Sequence, residues 1–580
     1  MKTVMKTMGK YRGKLLLLVF AVLCTTVCTM GWPRLLAVLI DTAIPNHDEK
    51  MVFTVCGLML LLVGAGIFFG VITSRLSAEI SMGTGRDLRR QVFEKVTGFS
   101  QSQIDSFSTS SLITRTNTDV SQIQLFLNQC LSIAISAPVM CIVGVVLSVS
   151  QSPTLSRVLI VSVPLMAVVL LVIARVSLPL NITMQELTDR INLVTREKLT
   201  GARVIRAFGT TRFENGRFEA ISKEYTSISK KSQRMLQLVM PLLTVILALT
   251  AGAVLYLAVV KSVYEGIDYT TGEVMSIVSY VMEIMVAVIQ LTYVFIMLPR
   301  ASTSARRVRE VLESENPLLE PAKSAPQGKQ KGTLEFDHVT FTYPGSSEPA
   351  VKDLSFRAGP GEITAVIGGT GMGKTSIVNL IPRLYDATEG RVLVDGVDVK
   401  DYTLSALREK IGFVPQKANL FTGTIDSNVG FGREGADEYD IEEAVRTAQS
   451  YDFVMKKDEG FASPVSQGGS NLSGGQRQRL AIARALVRKP EIYVFDDSFS
   501  ALDFRTDKAL RSALKKQTAG KLCTTVIVAQ RVSTVMDADR IIVIDSGNIM
   551  GIGTHEQLMK ACPIYREIAE SQLGKEDEGK

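Results

Sequence analysis

Six long apolar stretches, all before residue 300, constrain this chain more than any other feature. They run over Leu15–Ile40, Met51–Thr73, Phe126–Val149, Val158–Ala174, Leu236–Val260 and Val274–Leu298. A helix needs about 20 apolar residues to cross a bilayer. The fourth stretch has 17 before Arg175, with Leu178–Leu180 to extend it. A basic run (Lys2, Lys6, Lys10, Arg12, Lys14) precedes the first stretch, but the apolar segment outruns a signal-peptide core and no A-x-A site follows. It is expected to be a retained span. The remainder of the 580 residues reads as an ordinary soluble protein, so the first division is a membrane part and a soluble part. With 46% apolar and 21% charged residues, disorder, collagen-like sequence and a small disulfide scaffold are excluded.

Lys and Arg near the span ends set the expected orientation. The N-terminal segment carries five, the connection after the second span six (Arg75, Arg86, Arg89, Arg90, Lys95, Arg115), and the connection after the fourth span twelve, from Arg175 to Arg234. The opposite loops carry one each, Lys50, Arg157 and Lys261. Both termini and both long loops are therefore expected in the cytoplasm. The net charge of +7 follows from this topology and gives no reason to invoke nucleic acid. The two long loops keep helical periodicity, and structureless loops of that length are uncommon. The spans are expected to continue as cytoplasmic helices, each pair ending in a short tip that meets another domain.

Glu283 is the lone charge in the sixth span. A mid-membrane acid costs about 2.5–3.5 kcal/mol unless it faces water or a partner, so it lines a substrate path or makes an interhelical hydrogen bond. Met275, Met282, Met285 and Met297 offer an adaptable surface or face lipid. Arg34 snorkels or pairs. Seven cysteines form no CxxC pair, which argues against a zinc site or disulfide framework.

Residues 315–332 are rich in Pro, Gly and Lys and read as a linker between a membrane domain, 1–314, and a soluble domain, 333–580. The strongest motif of the soluble domain is Gly368-Gly369-Thr370-Gly371-Met372-Gly373-Lys374-Thr375, a G-x-x-x-x-G-K-[ST] loop after the β-branched run Ile363–Ile367 and before a helical run beginning at Ser376. Its glycines let backbone N–H groups curl around phosphate oxygens, and the helix N-terminus adds partial positive charge. Lys374 is expected to reach the β and γ phosphates and Thr375 to hold Mg²⁺. Glu491–Asp496 reads as a buried strand ending in Asp496, the metal-side acid. Between them, Leu472-Ser473-Gly474-Gly475-Gln476 opens an amphipathic helix, a second phosphate-seeking N-terminus. One site rarely needs two such elements, but two copies facing head to tail would complete each other's sites.

This combination resembles the ATP-binding cassette family, and six spans ahead of one cassette resemble an ABC exporter half-transporter. The Ser500-Ala501-Leu502-Asp503 turn, Asn117-Thr118-Asp119-Val120 and Gly201–Phe208 add to the likeness. The resemblance implies an all-α six-helix transmembrane domain with long cytoplasmic helical extensions plus an α/β P-loop cassette. Coupling helices are expected near 114–121 and 210–217. ATP and Mg²⁺ would be bound by Tyr343, which would stack on adenine, by Gly368–Ser376, by Gln416 and by Asp496. Thr375, Gln416 and Asp496 would hold the metal. Leu472–Gln476 would serve the nucleotide of a second half.

Two residues depart from the family. Asp497 stands where a glutamate general base is usual, and its side chain is shorter by about 1.5 Å. Gln530 stands where a histidine near the γ-phosphate is usual, and none of the three histidines (His47, His338, His555) replaces it. Misplacing a catalytic group by about 1 Å can cost roughly 100-fold in rate. The expectation is a site that binds MgATP but hydrolyses it poorly, in a heterodimeric, multidrug-type exporter of small amphipathic compounds in the plasma membrane. The alternatives are a nucleotide-gated channel or regulatory subunit, and an importer.

Overall fold

The computed structural model describes residues 2–266, 268–318, 320–325, 330–518 and 523–577. Within the expected linker, residues 319 and 326–329 lie outside the described residues. The chain forms two compact units: Met1–Thr97 with Thr109–Ser314, and Gly98–Ser108 with Glu315–Lys580.

The first unit is all helix. Among the described residues, six stretches are long and apolar enough to span a membrane: Thr3–Ala43, Glu49–Thr97, Thr109–Gln151, Leu155–Thr200, Thr211–Glu265 and Thr271–Glu313. At 1.5 Å per residue, stretches of 41–55 residues reach about 60–80 Å, twice a hydrocarbon core or more. The long extensions expected from the loop periodicity are therefore present. The apolar windows are only 6–28% buried within the chain, so most of their surface faces outward, as lipid-facing helices require. Small residues allow close helix contact where it occurs. A Cβ on Gly144 would lie 2.9 Å from Ile284 Cγ1. Polar contacts join the helices: the buried Ser304 Oγ donates to Asp119 Oδ1 at 2.7 Å, and Asp41 accepts from the Gly272 N–H at 2.6 Å and the Thr270 hydroxyl at 2.5 Å.

The expected coupling segment near 114–121 is displaced. Arg115–Asp119 is a π-helical turn inside the membrane unit, anchored by Arg115 Nη1 on Glu310 at 2.9 Å. It is Gln101–Phe107, opened by a Ser100–Gln103 capping box, that belongs to the second unit. The second segment, 210–217, opens the helix Thr211–Gln237 after the helix Ala202–Ala207.

Among the described residues the second unit carries twelve strands: β1 (Leu334–Phe341), β2 (Val351–Ala358), β3 (Ile363–Ile367), β4 (Glu389–Val394), β5 (Val397–Asp398), β6 (Ile411–Val414), β7 (Gly423–Thr424), β8 (Pro464–Val465), β9 (Ile492–Asp496), β10 (Thr524–Ala529), β11 (Arg540–Asp545) and β12 (Asn548–Gly553). The main sheet has the order β12-β11-β3-β10-β9-β6, with only β12 antiparallel. β9 and β10 are buried at every residue, the mark of central parallel strands covered on both faces. One covering layer is helical. The other is the antiparallel sheet β2-β1-β4-β5, whose Phe336, Phe356 and Val392 share a core with Val494 and Val526. Parallel register sets the C-terminal ends of β3, β9 and β10 side by side, pairing Ile367 with Ala529 and Val528 with Asp496. Ligands bind at such an edge in open α/β sheets.

Candidate active site

At that edge the loop after β3 wraps a cavity of about 270 Å³. Its glycines are required by geometry. A Cβ on Gly368 would lie 2.2 Å from Ile544 O; Gly373 has φ +94° and would meet Ala350 O at 2.3 Å. Lys374, which begins the helix Lys374–Leu380, folds back to donate to the carbonyls of Gly368 at 2.9 Å and Gly369 at 2.5 Å. Burial pushes its ammonium pKa down, against the pull of Asp497 and Asp496. The Thr375 hydroxyl donates to Asp496 Oδ1 at 3.2 Å. Burial pushes the Asp496 carboxyl up to about 6. A hydroxyl, two carboxylates and the Gln416 amide thus converge on one cavity, an oxygen-rich donor set suited to Mg²⁺.

The cavity is lined by Tyr343, Thr370, Gly371, Gly373, Lys374, Thr375, Ser376, Gln416, Asp496, Asp497 and Gln530, so the fold assembles residues that lie up to 187 positions apart in sequence. Gly368, Gly369 and Met372 belong to the same loop without lining the cavity. Tyr343 donates to or accepts from Ser376 Oγ at 2.9 Å and meets Tyr385 edge-on at 5.3 Å. Asp497 is held in the left-handed region at φ +44° by its N–H bond to Val528 O at 3.0 Å. Its Oδ2 accepts from Gln530 Nε2 at 2.9 Å and Gln416 Nε2 at 3.4 Å. Burial raises its pKa, opposed first by the Gln416 hydrogen bond and then by Lys374.

Leu472–Gln476 does not line this cavity. Ser473 caps the helix Gly474–Leu486 through a capping box, its Oγ accepting from the Gln476 N–H at 3.3 Å and its own N–H donating to Gln476 Oε1 at 3.0 Å. Ser473 and Gly474 are exposed, and Leu472 is buried beneath them. Asp503 caps the following turn through the Thr506 N–H at 3.0 Å.

Two contacts escaped the sequence reading. Tyr385 donates to Asp105 of the helix Gln101–Phe107 at 2.5 Å, so the aromatic that touches Tyr343 also holds that helix. Gln572, in the helix Pro563–Asp577, accepts from the Val532 N–H at 2.8 Å and donates to Gln530 O at 2.9 Å, clamping the backbone on both sides of Arg531. Nothing local marks either residue. Gln572→Met fills the space without either bond and leaves two backbone groups unpaired. The full-length protein is expected to lose about 1–3 kcal/mol in cassette stability, read by urea titration.

The ABC transporter transmembrane region family matches residues 15–288, and the ABC transporter family matches residues 351–500. An uncharacterized ABC transporter ATP-binding protein of Mycobacterium tuberculosis is 37% identical over 567 residues, covering 97% of this chain and 96% of the relative. This chain belongs to the ABC transporter family. The ABC transporter YfiB of Bacillus subtilis is 35% identical over 547 residues, with 94% of each chain covered. The ATP-dependent lipid A-core flippase of Yersinia pseudotuberculosis is 30% identical over 573 residues, with 98% and 97% covered. In structure, the chain is similar to a bacterial Atm1-family ABC exporter with ATP bound: TM-score 0.79, 24% identity, 97% and 98% covered. The ABC half-transporter thus has the exporter layout, six apolar helices fused ahead of one ATPase cassette.

Proposed function

We propose that this ABC half-transporter works as the degenerate-site subunit of a heterodimeric exporter that moves amphipathic or hydrophobic compounds across the plasma membrane, with both termini in the cytoplasm. The observation that carries this reading is the tether on Asp497. Its carboxylate is already shared between two amide donors, Gln530 and Gln416. A base so engaged, and shorter than glutamate by about 1.5 Å, is poorly set to take a proton from an attacking water.

The same cavity supports binding. Tyr343 offers a ring to adenine. Gly368–Gly373 offer backbone N–H groups and Lys374 a cation to the phosphates, while Thr375, Gln416 and Asp496 hold Mg²⁺. Lys374 would exchange its two loop carbonyls for phosphate oxygens. Ser473 and Gly474, exposed and outside the cavity, and the partly exposed Gln476 are available to the nucleotide on the other half, with Leu472 buttressing the turn. The likeness to a lipid A-core flippase supports an amphipathic substrate. A complete Leu472–Gln476 turn supports transport over a channel or regulatory role, where it would have no hydrolysis to complete.

Coexpressed with a homologous half that carries Glu and His at the two departed positions, the chain is expected to form a one-to-one complex. The chain alone should hydrolyse ATP about 100-fold more slowly than that complex. Native mass spectrometry and steady-state ATP turnover check both. A chain that pairs with itself and turns over ATP at the full rate would overturn the heterodimer.

A further inference from the structure

We propose that Glu283 is the counter-charge of a binding site for lipophilic monocations, so that this transporter half accepts positively charged amphiphiles. The proposal rests on the export reading above and deepens it to a substrate class.

Between Glu273 and Arg300 of the helix Thr271–Glu313, Glu283 is the only charged residue. Twelve residues past the helix start, it lies about 18 Å along the axis, near the middle of a hydrocarbon core of about 30 Å. It is half-buried, and it makes no hydrogen bond or ion pair among the described residues. Several other acids of the membrane unit are paired. Asp41 is held by Gly272 and Thr270, Asp119 by Ser304, Glu79 by Lys14 and Glu310 by Arg115. Arg34, exposed on the helix Arg12–Val38, forms no ion pair with it. The interhelical hydrogen bond that could have explained a mid-membrane acid is therefore absent among the described residues.

The surroundings are those of a site. At 100° per residue, Ser279, Glu283 and Gln290 fall within about 40° of one another, a polar stripe on an otherwise apolar helix. On one flank, Met275 and Met282 are 47% and 49% exposed in the single chain. On the other, Tyr280 is fully buried and its hydroxyl has no hydrogen-bond partner. A polar stripe turned to lipid would forfeit hydration without return, so it faces a wet path or a ligand.

Charge and shape select the ligand. An anion would be repelled by the carboxylate, and a neutral amphiphile would leave it unpaired. A metal dication would want more hard ligands, and no group of three or more His, Cys, Asp or Glu side chains gathers among the described residues. A single positive charge on an apolar body fits both features: it pairs with Glu283, and its body lies against the polarizable methionines.

The test uses the full complex in proteoliposomes, with tetraphenylphosphonium and its size-matched anion tetraphenylborate as probes. Equilibrium binding is expected to favour the cation. Glu283→Gln should weaken cation binding by at least about tenfold, the loss expected when a desolvated charge pair is truncated. Glu283→Asp should retain most of it, and Glu283→Lys should turn the preference to tetraphenylborate. Size exclusion of each variant reports whether the halves stay together. Cation binding that is absent from the unsubstituted complex, or unchanged in Glu283→Gln, overturns the proposal. So does dissociation of the halves in Glu283→Gln, which would make the carboxylate an inter-subunit ion-pair partner. ATP turnover of the unsubstituted complex is measured separately. Its absence would count against the export reading, while cation binding still decides this one.

Discussion

Replacing Gly474 with Asp is expected to lower ATP turnover and transport by the assembled exporter at least about 100-fold, the cost of losing transition-state donors. Replacing Lys374 with Ala is expected to cost about tenfold or less, because on the proposed reading it weakens only the site that binds without hydrolysing. The structure separates this result from a folding defect. Gly474 is exposed, and a Cβ there would meet nothing within 4 Å. A carboxylate in the first turn is, if anything, favourable to the helix Gly474–Leu486. It is unfavourable to a phosphate arriving at the same N-terminus. Thermal unfolding should therefore be unchanged while turnover collapses. Ser473→Ala adds a graded control: it removes a cap worth about 1 kcal/mol together with the hydroxyl. Equal losses from Gly474→Asp and Lys374→Ala would mean that both sites fire alike.

The second large effect is a gain. Asp497→Glu combined with Gln530→His is expected to raise hydrolysis at this chain's own cavity by about 100-fold. Two changes are needed because the structure ties them together. Gln530 Nε2 sits 2.9 Å from Asp497 Oδ2, so a longer carboxylate alone would still face an amide donor. Histidine removes that donor and supplies a group for the γ-phosphate. The measurement is single-turnover hydrolysis in a complex whose partner base has been changed from Glu to Gln, which silences the competent site. If the signature facing this cavity is altered in the partner, the gain will be small until it is repaired. No gain after that repair would place the defect outside Asp497 and Gln530.

The elements governed by local chemistry were legible in the sequence. Six apolar runs gave six long helices, and strand, glycine loop and helix around Lys374 assembled as their order implied. Elements governed by distant contacts were not. The tip of the first long loop was expected near 114–121, but those residues continue a helical hairpin closed by Arg115 on Glu310. The seven residues Gln101–Phe107 look like any short polar helix until Tyr385 is brought to Asp105. Gln572 lies 42 positions from the carbonyl it clamps and has no motif around it. The proposed weakness of the Asp497 site rests on two unusual residue types that the sequence shows directly. Their direct hydrogen bond was not legible there, because it depends on the register of β9 against β10.

The eleven residues Gly98–Ser108 belong to the same compact unit as the cassette, yet they are encoded more than 200 positions ahead of it. The boundary between the two units is therefore crossed three times by the chain, not once. A soluble fragment started at Glu315 would lack part of its own fold and present Tyr385 without its Asp105 partner. Conversely, both helices that flank the insertion, Glu49–Thr97 and the one opening at Thr109, are spliced directly into it. Neither can be lengthened or shortened by a residue without changing the phase at which the chain enters or leaves the catalytic unit. Insertions tolerated elsewhere in the long helices should therefore be poorly tolerated next to residues 97 and 109.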